Sequence, residues 1–380
     1  MQWTKQGLIY RPDSTLPWQA SHAALPTRLP LGGSRYRIFF SSRDENNRAH
    51  VGHFDIDLAT GVTSNPAREP VLAPGDWGHF DDHGVQACSI ARADNGDLYL
   101  YYLGWNTGKK DPLFYAAIGL AISRDGGQTF SKHSPAPILQ RSRFDPWMVS
   151  GGTVIRQGPE WLMYYLSGFK FEFTAGGAIS WYDIKIARSR DGIEWTRSGE
   201  VALPLQDDET NISRMTIDEH HGRYRAWFPV KRRDVGYRCG YAESLDGVTW
   251  TRQADHCLPV SESGWDSEAI DKMEVIRHGD RLYMLYNGNR FGRDGIGQAR
   301  VMGLADHARQ GAVEQAGDDC GDQHPVGCQC CGELVGRDKT VLAVFRVKAG
   351  MDAAQPGLPN HSPDPGRAID NPLQARSPGL

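Results

Sequence analysis

The chain has 380 residues, 39% of them hydrophobic and 10% aromatic, the composition of a globular protein and not of a disordered or fibrous one. A formal net charge of -4 leaves no electrostatic case for a nucleic-acid partner, and no stretch approaches the roughly 18 apolar residues that span a bilayer. The 11 Trp, 14 Tyr and 43 Gly favour β-structure, because aromatics suit pleated surfaces and Gly suits tight turns.

The chain opens on Met1-Gln2-Trp3-Thr4-Lys5 with no basic stretch leading into an apolar run, so no signal peptide is predicted and a cytoplasmic location is expected. Further along, one unit recurs about every 60 residues, marked by aromatic-rich segments at 36–40, 98–102, 161–165, 224–228 and 282–286. Strand candidates precede these segments, as at 84–91 and 148–155, and follow them, as at 118–122, 184–187 and 239–242. Asp-Gly turns at Asp125, Asp191 and Asp246 close three of the following strands, a strong hairpin signal because Gly supplies the positive φ. These three aspartates read as structural. An aromatic then opens a further strand, at Phe130, Trp195 and Trp250. Each unit therefore holds four short strands, the content of one propeller blade.

Five units fit before residue 302, but the last lacks its Asp-Gly turn and its Trp-Thr-Arg strand. Trp3-Thr4-Lys5 matches Trp195-Thr196-Arg197 and Trp250-Thr251-Arg252, so the N-terminus is predicted to supply the missing outer strand. The fold expected for residues 1–302 is an all-β, five-bladed propeller closed by the N-terminal strand. Residues 303–380 form a C-terminal extension with no Trp or Tyr, expected to be poorly ordered from about Pro356, and no function is placed on it. Its cysteines, Cys320, Cys328, Cys330 and Cys331, lack the paired spacing of a zinc site, and the abrupt change in composition fits a shifted reading frame as well. Cys88, Cys239 and Cys257 do not form a disulfide pattern, and His50, His53, His79 and His83 have no metal-ligand spacing. No cofactor or metal is expected, and the oligomeric state is left open.

In a propeller, the segments entering the innermost strands meet at one mouth of the central channel, which makes that mouth the default site. Those segments carry His22, Asp81 and Asp82, Asp145, Arg214, and Asp266 and Glu268. Recurrence of carboxylates at one place in three blades points to convergence on a ligand. Trp147 and Trp265, beside them, suit packing. A second ring, from the loops leaving the aromatic strands, carries Arg43, Asp44, Trp105, Asn106, Lys170, Lys231, Asn287 and Asn289. Aromatic faces stack on a pyranose while amides and charges bind its hydroxyls, so the partner expected is a small carbohydrate or glycan.

The runs Phe80-Asp81-Asp82, Phe144-Asp145-Pro146, Trp265-Asp266-Ser267-Glu268 and Tyr286-Asn287-Gly288-Asn289, with the Ser-Arg-Asp-Gly turns, resemble the five-bladed glycosidase superfamily. That superfamily includes the family 43 and family 32 glycoside hydrolases and the family 130 glycan phosphorylases. The resemblance covers residues 1 to about 302, although the family 32 motif Trp-Met-Asn-Asp is absent. It implies chemistry at a glycosidic bond by acids drawn from different blades.

The activity expected is glycoside hydrolysis at the channel by paired carboxylates, with inversion favoured. Such a site needs one carboxylic acid to protonate the leaving oxygen and a second carboxylate to activate water or attack the sugar. The candidates are Asp82 or Asp81, Asp145, and Glu268 or Asp266, with Glu268 the first choice for the acid. His22, Arg43 and Arg214 are expected to orient hydroxyls, a sugar carboxylate or a phosphate. The alternatives are a glycan phosphorylase, supported by Arg43, Arg214, Lys170 and Lys231, and a non-catalytic sugar-binding propeller. Sialidase chemistry fits less well, because that family is normally six-bladed.

Overall fold

A computed structural model describes residues 1–175 and 177–301; the expectations for 303–380, the cysteine cluster included, fall outside the described residues. Short β-strands separated by Gly-, Asp- and Pro-rich turns account for nearly all regular structure, and no α-helix occurs among the described residues. The chain starts with β1 (Trp3–Tyr10). The first blade is β2 (Ser21–Gly32), β3 (Arg35–Arg43), β4 (Ala49–Asp57) and β5 (Thr63–Ser64). The second is β6 (Gly84–Arg92), β7 (Leu98–Thr107), β8 (Phe114–Ser123) and β9 (Ser131–Lys132). The third is β10 (Met148–Gln157), β11 (Glu160–Thr174), β12 (Gly177–Ser189) and β13 (Thr196–Leu203).

In the fourth blade the inner strand comes in two pieces, β14 (Glu209–Ile212) and β15 (Thr216–His220), followed by β16 (Arg223–Arg232), β17 (Val235–Ser244) and β18 (Thr251–Gln253). The fifth has β19 (Asp271–His278), β20 (Arg281–Asn287) and β21 (Ile296–Val301), with β1 as its outer strand. Trp3 lies opposite Val301 and Lys5 opposite Ala299, in antiparallel register. The N-terminal strand thus closes the last blade, as predicted.

Five hydrophobic clusters fill the five interfaces between neighbouring blades. Phe39 and Val51 pack on Val85 and Leu100; Tyr101 on Val149 and Trp161; Tyr164 and Ile184 on Met215 and Phe228. Trp227 and Tyr241 pack on Val275 and Met284, and Tyr283 and Leu285 on Phe40 and Phe54, which joins blade five to blade one. Each large apolar side chain buried this way contributes about 1.5–3 kcal/mol. Trp147 belongs to this packing, its indole N–H donating to the Phe114 carbonyl of the preceding blade at 2.9 Å.

The Asp-Gly turns lock the blades to one another. Asp125 accepts hydrogen bonds from the Gln128 and Thr129 amides, and the Thr129 and Ser123 hydroxyls hold its carboxyl well below the usual carboxylate range. Asp191 and Asp246 make the equivalent clasps. The glycine carbonyl of each turn then receives a donor from the previous blade: Tyr101 to Gly192 at 2.8 Å, and Tyr164 to Gly247 at 2.6 Å. Because adjacent strands in a blade run antiparallel, these turns lie at one end of the ring. The loops entering the inner strands, and those joining second to third strands, open at the other end.

Candidate active site

Three predicted catalytic carboxylates are sealed into the blades. Asp81 is 1% exposed, accepts a hydrogen bond from Tyr102 at 3.1 Å and pairs with Lys132 at 2.6 Å. Asp145 is 0% exposed, bonded to Tyr165 at 3.2 Å and paired with Arg197 at 2.9 Å. Asp266 is 3% exposed, bonded to Tyr286 at 2.9 Å and paired with Lys5 at 2.7 Å. In each of these three blades the loop before the inner strand drops an Asp onto a Tyr of the second strand and a cation of the fourth. The recurrence read from sequence as convergence on a ligand coincides with a brace repeated in three blades. Blade four has a variant, Glu209 paired with Arg252 at 2.8 Å, whose guanidinium lies 5.3 Å over Phe228 where these three blades have Tyr.

Several predicted binding residues are also spent internally. Arg214 is 1% exposed on the channel axis. It donates to the carbonyls of Pro26, Cys88 and Met273, to Thr27, and to the carboxylate of Glu274, so it ties together blades one, two, four and five. Asn287 is a clasp between the last and first blades: it accepts from the Leu25 amide at 2.9 Å and donates to the carbonyls of Ala23 and Gly295. Asn289 orders the loop ahead of β19 by accepting from the Glu268 and Ala269 amides. Asp44 organises its own loop, accepting from the Asn46 and Arg48 amides and contacting His50. Lys170 is exposed on the β11–β12 hairpin, paired with Glu172 and lying over Trp181. Lys231 lies next to Asn211 across the β14–β16 ladder.

Other predicted residues do reach the mouth. Asp82 accepts the Gly78 amide at 3.0 Å and holds His83 Nδ1 at 2.5 Å, leaving Nε2 3.4 Å from the Thr107 hydroxyl. Around this pair stand Trp105, its ring 5.9 Å from that of His83, and Trp77, 71% exposed with Arg48 4.9 Å over its face. Gly84 permits the arrangement, since a Cβ there would collide with the Trp105 indole. Asn106 follows Trp105 at the end of β7, half-buried. Glu268 is exposed on the rim, its backbone held by Asn289 and Arg238.

At the seam of blades one and five, His22 is half-buried, and burial together with Arg43, Arg293, Lys272 and Arg290 pulls its ring down to about 4. Sequence reasoning named only His22 and Arg43 of this group. It also missed two carboxylates. Asp183, on β12 level with the mouth, has a buried Oδ1 without a hydrogen-bond partner. Burial, helped by the Asp145 charge, pushes its carboxyl up to about 6 against the opposing pull of Lys185. Asp271 opens β19 and is 1% exposed. Its Oδ1 accepts the Lys272 amide at 2.8 Å; its Oδ2 is buried and unbonded, with Lys272 Nζ 3.3 Å away outside hydrogen-bond geometry. Tyr182 and Tyr237 join hydroxyls beside Asp271. Among the described residues no group of three or more His, Cys, Asp or Glu could hold a metal ion.

Solved structures with this architecture include a glycoside hydrolase at TM-score 0.65 and 19% identity, covering 79% of this chain and 92% of that one. A thermostable family-43 glycoside hydrolase aligns at TM-score 0.56 and 16% identity over 78% of this chain and 94% of its own. The family-32 β-fructofuranosidase of Bombyx mori aligns at TM-score 0.50 and 15% identity, over 76% and 62%. The fold is that of the five-bladed β-propeller glycosidases, the superfamily the sequence resembles. No protein-family model matches the chain. Two Mycobacterium tuberculosis proteins, the uncharacterized proteins MT1551 and Rv1502, are each 38% identical over 303 residues, spanning 79% of this chain and 99% of theirs. The chain belongs to the family of these two proteins.

Proposed function

We propose that the protein is a glycoside hydrolase that cleaves a glycosidic bond at the channel mouth, with inversion. The observation that carries this reading is the pair of under-satisfied carboxylates, Asp183 on the third blade and Asp271 on the fifth, each with a buried, unbonded oxygen. A carboxyl held at about 6 carries a proton over a useful part of the physiological range, which suits Asp183 to protonating the leaving oxygen. Asp271, with its free oxygen next to Lys272, suits the base that takes a proton from water. Inversion needs about 6.5–9.5 Å between acid and base to admit that water. Asp82 then acts by orienting His83, Glu268 by contacting a sugar at the rim, and Trp77 and Trp105 by stacking.

The test is a screen of aryl glycosides with the full chain, followed by Asp183→Asn and Asp271→Asn on the best substrate, with and without phosphate. Each variant is expected to lose about 10²–10⁴-fold in kcat, with wild-type turnover independent of phosphate. Full activity in both variants, or sugar affinity without turnover, contradicts the reading.

A further inference from the structure

The seam between blades one and five concentrates unusual backbone. Of ten non-glycine residues with a left-handed backbone among the described residues, His22, Leu25, Lys272, Arg290 and Phe291 all lie there, with φ between 47° and 66°. Such conformations are unfavourable for residues with a Cβ and persist only where the surroundings enforce them, which happens most at ligand sites. The enforcement is visible: Asn287 clips Leu25, Ala23 and Gly295 together, and Gly292 approaches the Ala23 carbonyl so closely that a Cβ would stand 3.0 Å from it. The strained positions present His22, Lys272, Arg290 and the 53% exposed ring of Phe291, with Lys272 Nζ 5.5 Å over that ring.

Charge at the seam is unbalanced. Lys272 has Asp271 at 3.3 Å and Arg290 has Asp294 at 3.0 Å. Arg43 is half-buried and donates only to the neutral Asn47 amide oxygen, at 2.8 Å, and neither it nor Arg293 has a carboxylate partner among the described residues. A guanidinium partly removed from water without a counter-charge is costly, and it becomes favourable once an oxyanion supplies the missing partner. His22 stays neutral near pH 7, so its ring can donate one N–H without adding charge.

We propose that this seam is an oxyanion subsite, which receives the carboxylate or sulfate of an acidic sugar between Arg43 and Arg293, with Phe291 against the sugar ring. The proposal rests on the mouth being a carbohydrate site and narrows its substrate class to anionic glycosides. Inorganic phosphate has the same oxyanion chemistry and is the other source to be distinguished.

The test is calorimetric titration of the full chain with methyl galacturonoside, methyl glucuronoside, the corresponding neutral glycosides and inorganic phosphate. It needs no turnover, so it stands apart from the hydrolase reading. A uronoside is expected to bind at least about tenfold more tightly than its neutral counterpart. Arg293→Gln, at an exposed position, should weaken uronoside binding about tenfold and leave neutral-sugar binding alone. Arg43→Gln should do the same, with partial rescue by Arg43→Lys. Equal affinity for charged and neutral sugars, or arginine variants that bind uronosides normally, overturns the proposal. Arginine-dependent binding of phosphate but not of uronosides supports the oxyanion subsite and overturns the acidic sugar as its source.

Discussion

The blade interiors and the channel mouth both hold buried carboxylates, and the two sets differ in what their oxygens meet. Asp81, Asp145 and Asp266 each have a tyrosine hydroxyl and a cation within 3.2 Å. Asp183 keeps a buried Oδ1 with no hydrogen-bond partner, and Asp271 a buried Oδ2 that has Lys272 Nζ at 3.3 Å but accepts no hydrogen bond. A buried carboxylate oxygen without a hydrogen-bond partner costs free energy, a penalty that the three braced aspartates avoid. The proposed division between structural and chemical carboxylates rests on unmet hydrogen-bonding capacity and not on burial.

The largest expected effect is kinetic and belongs to the mouth. Asp183→Asn should lower kcat by about 10²–10⁴-fold and leave circular dichroism unchanged. Next is a stability effect that belongs to the blades. Asp145→Asn leaves Arg197 and Lys185 facing a neutral amide in a dry site, and breaking such a pair costs about 3–5 kcal/mol. Denaturant unfolding should register that loss, while the protein that remains folded should keep its kcat to within a few-fold, since the Asp145 charge is only a minor contributor to the raised Asp183 carboxyl.

A smaller effect inverts the comparison. The Asp183 carboxyl is raised in the folded state, so the native protein holds a proton that the unfolded chain releases between pH about 4 and about 6. That contribution is present below the unfolded pKa and is lost as pH rises through the folded one, leaving a charged, poorly paired carboxylate at pH 7. Asp183→Asn should therefore stabilise the protein at pH 7 by about 1–2 kcal/mol, and not at pH 4. Thermal melts at the two pH values check this.

The smallest effect concerns His53, which burial and Arg37 pull down to about 4. Its neutral form is the one the fold accommodates, so its contribution is present above about pH 6.5 and is lost as pH falls towards 4. His53→Gln should flatten the acid limb of the melting profile by a degree or two.

Residues 1–301 were legible in sequence because a propeller repeats its physics. The Asp-Gly turns need Gly at positive φ, the aromatic segments fill each inter-blade cluster, and Trp3-Thr4-Lys5 carries the same outer-strand pattern as Trp195-Thr196-Arg197. The same repetition drew the sequence reading to aspartates that the structure places in braces. Aspartates recur before the inner strands of three blades, where they form braces, and a signal was available in the aromatic segments. Those ending in Tyr102, Tyr165 and Tyr286 belong to blades with a braced Asp; those ending in Phe40 and Phe228 do not.

The mouth residues escaped for the opposite reason. Asp183 sits partway down a third strand, Asp271 opens an inner strand, and Arg293 lies in a loop after a second strand. They occupy non-equivalent positions in their blades, so no periodicity marks them. Their distinguishing feature, an unmet oxygen or an unpaired guanidinium, exists only once the blades are assembled.

The most direct test of the division between braces and mouth is steady-state kinetics of Asp183→Asn and Asp145→Asn, at equal folded concentration, on the aryl glycoside the wild type turns over fastest. The account predicts a kcat reduced at least about 100-fold for Asp183→Asn and near wild type for folded Asp145→Asn. Full activity in the first variant with loss in the second would contradict it and return catalysis to the repeated aspartates.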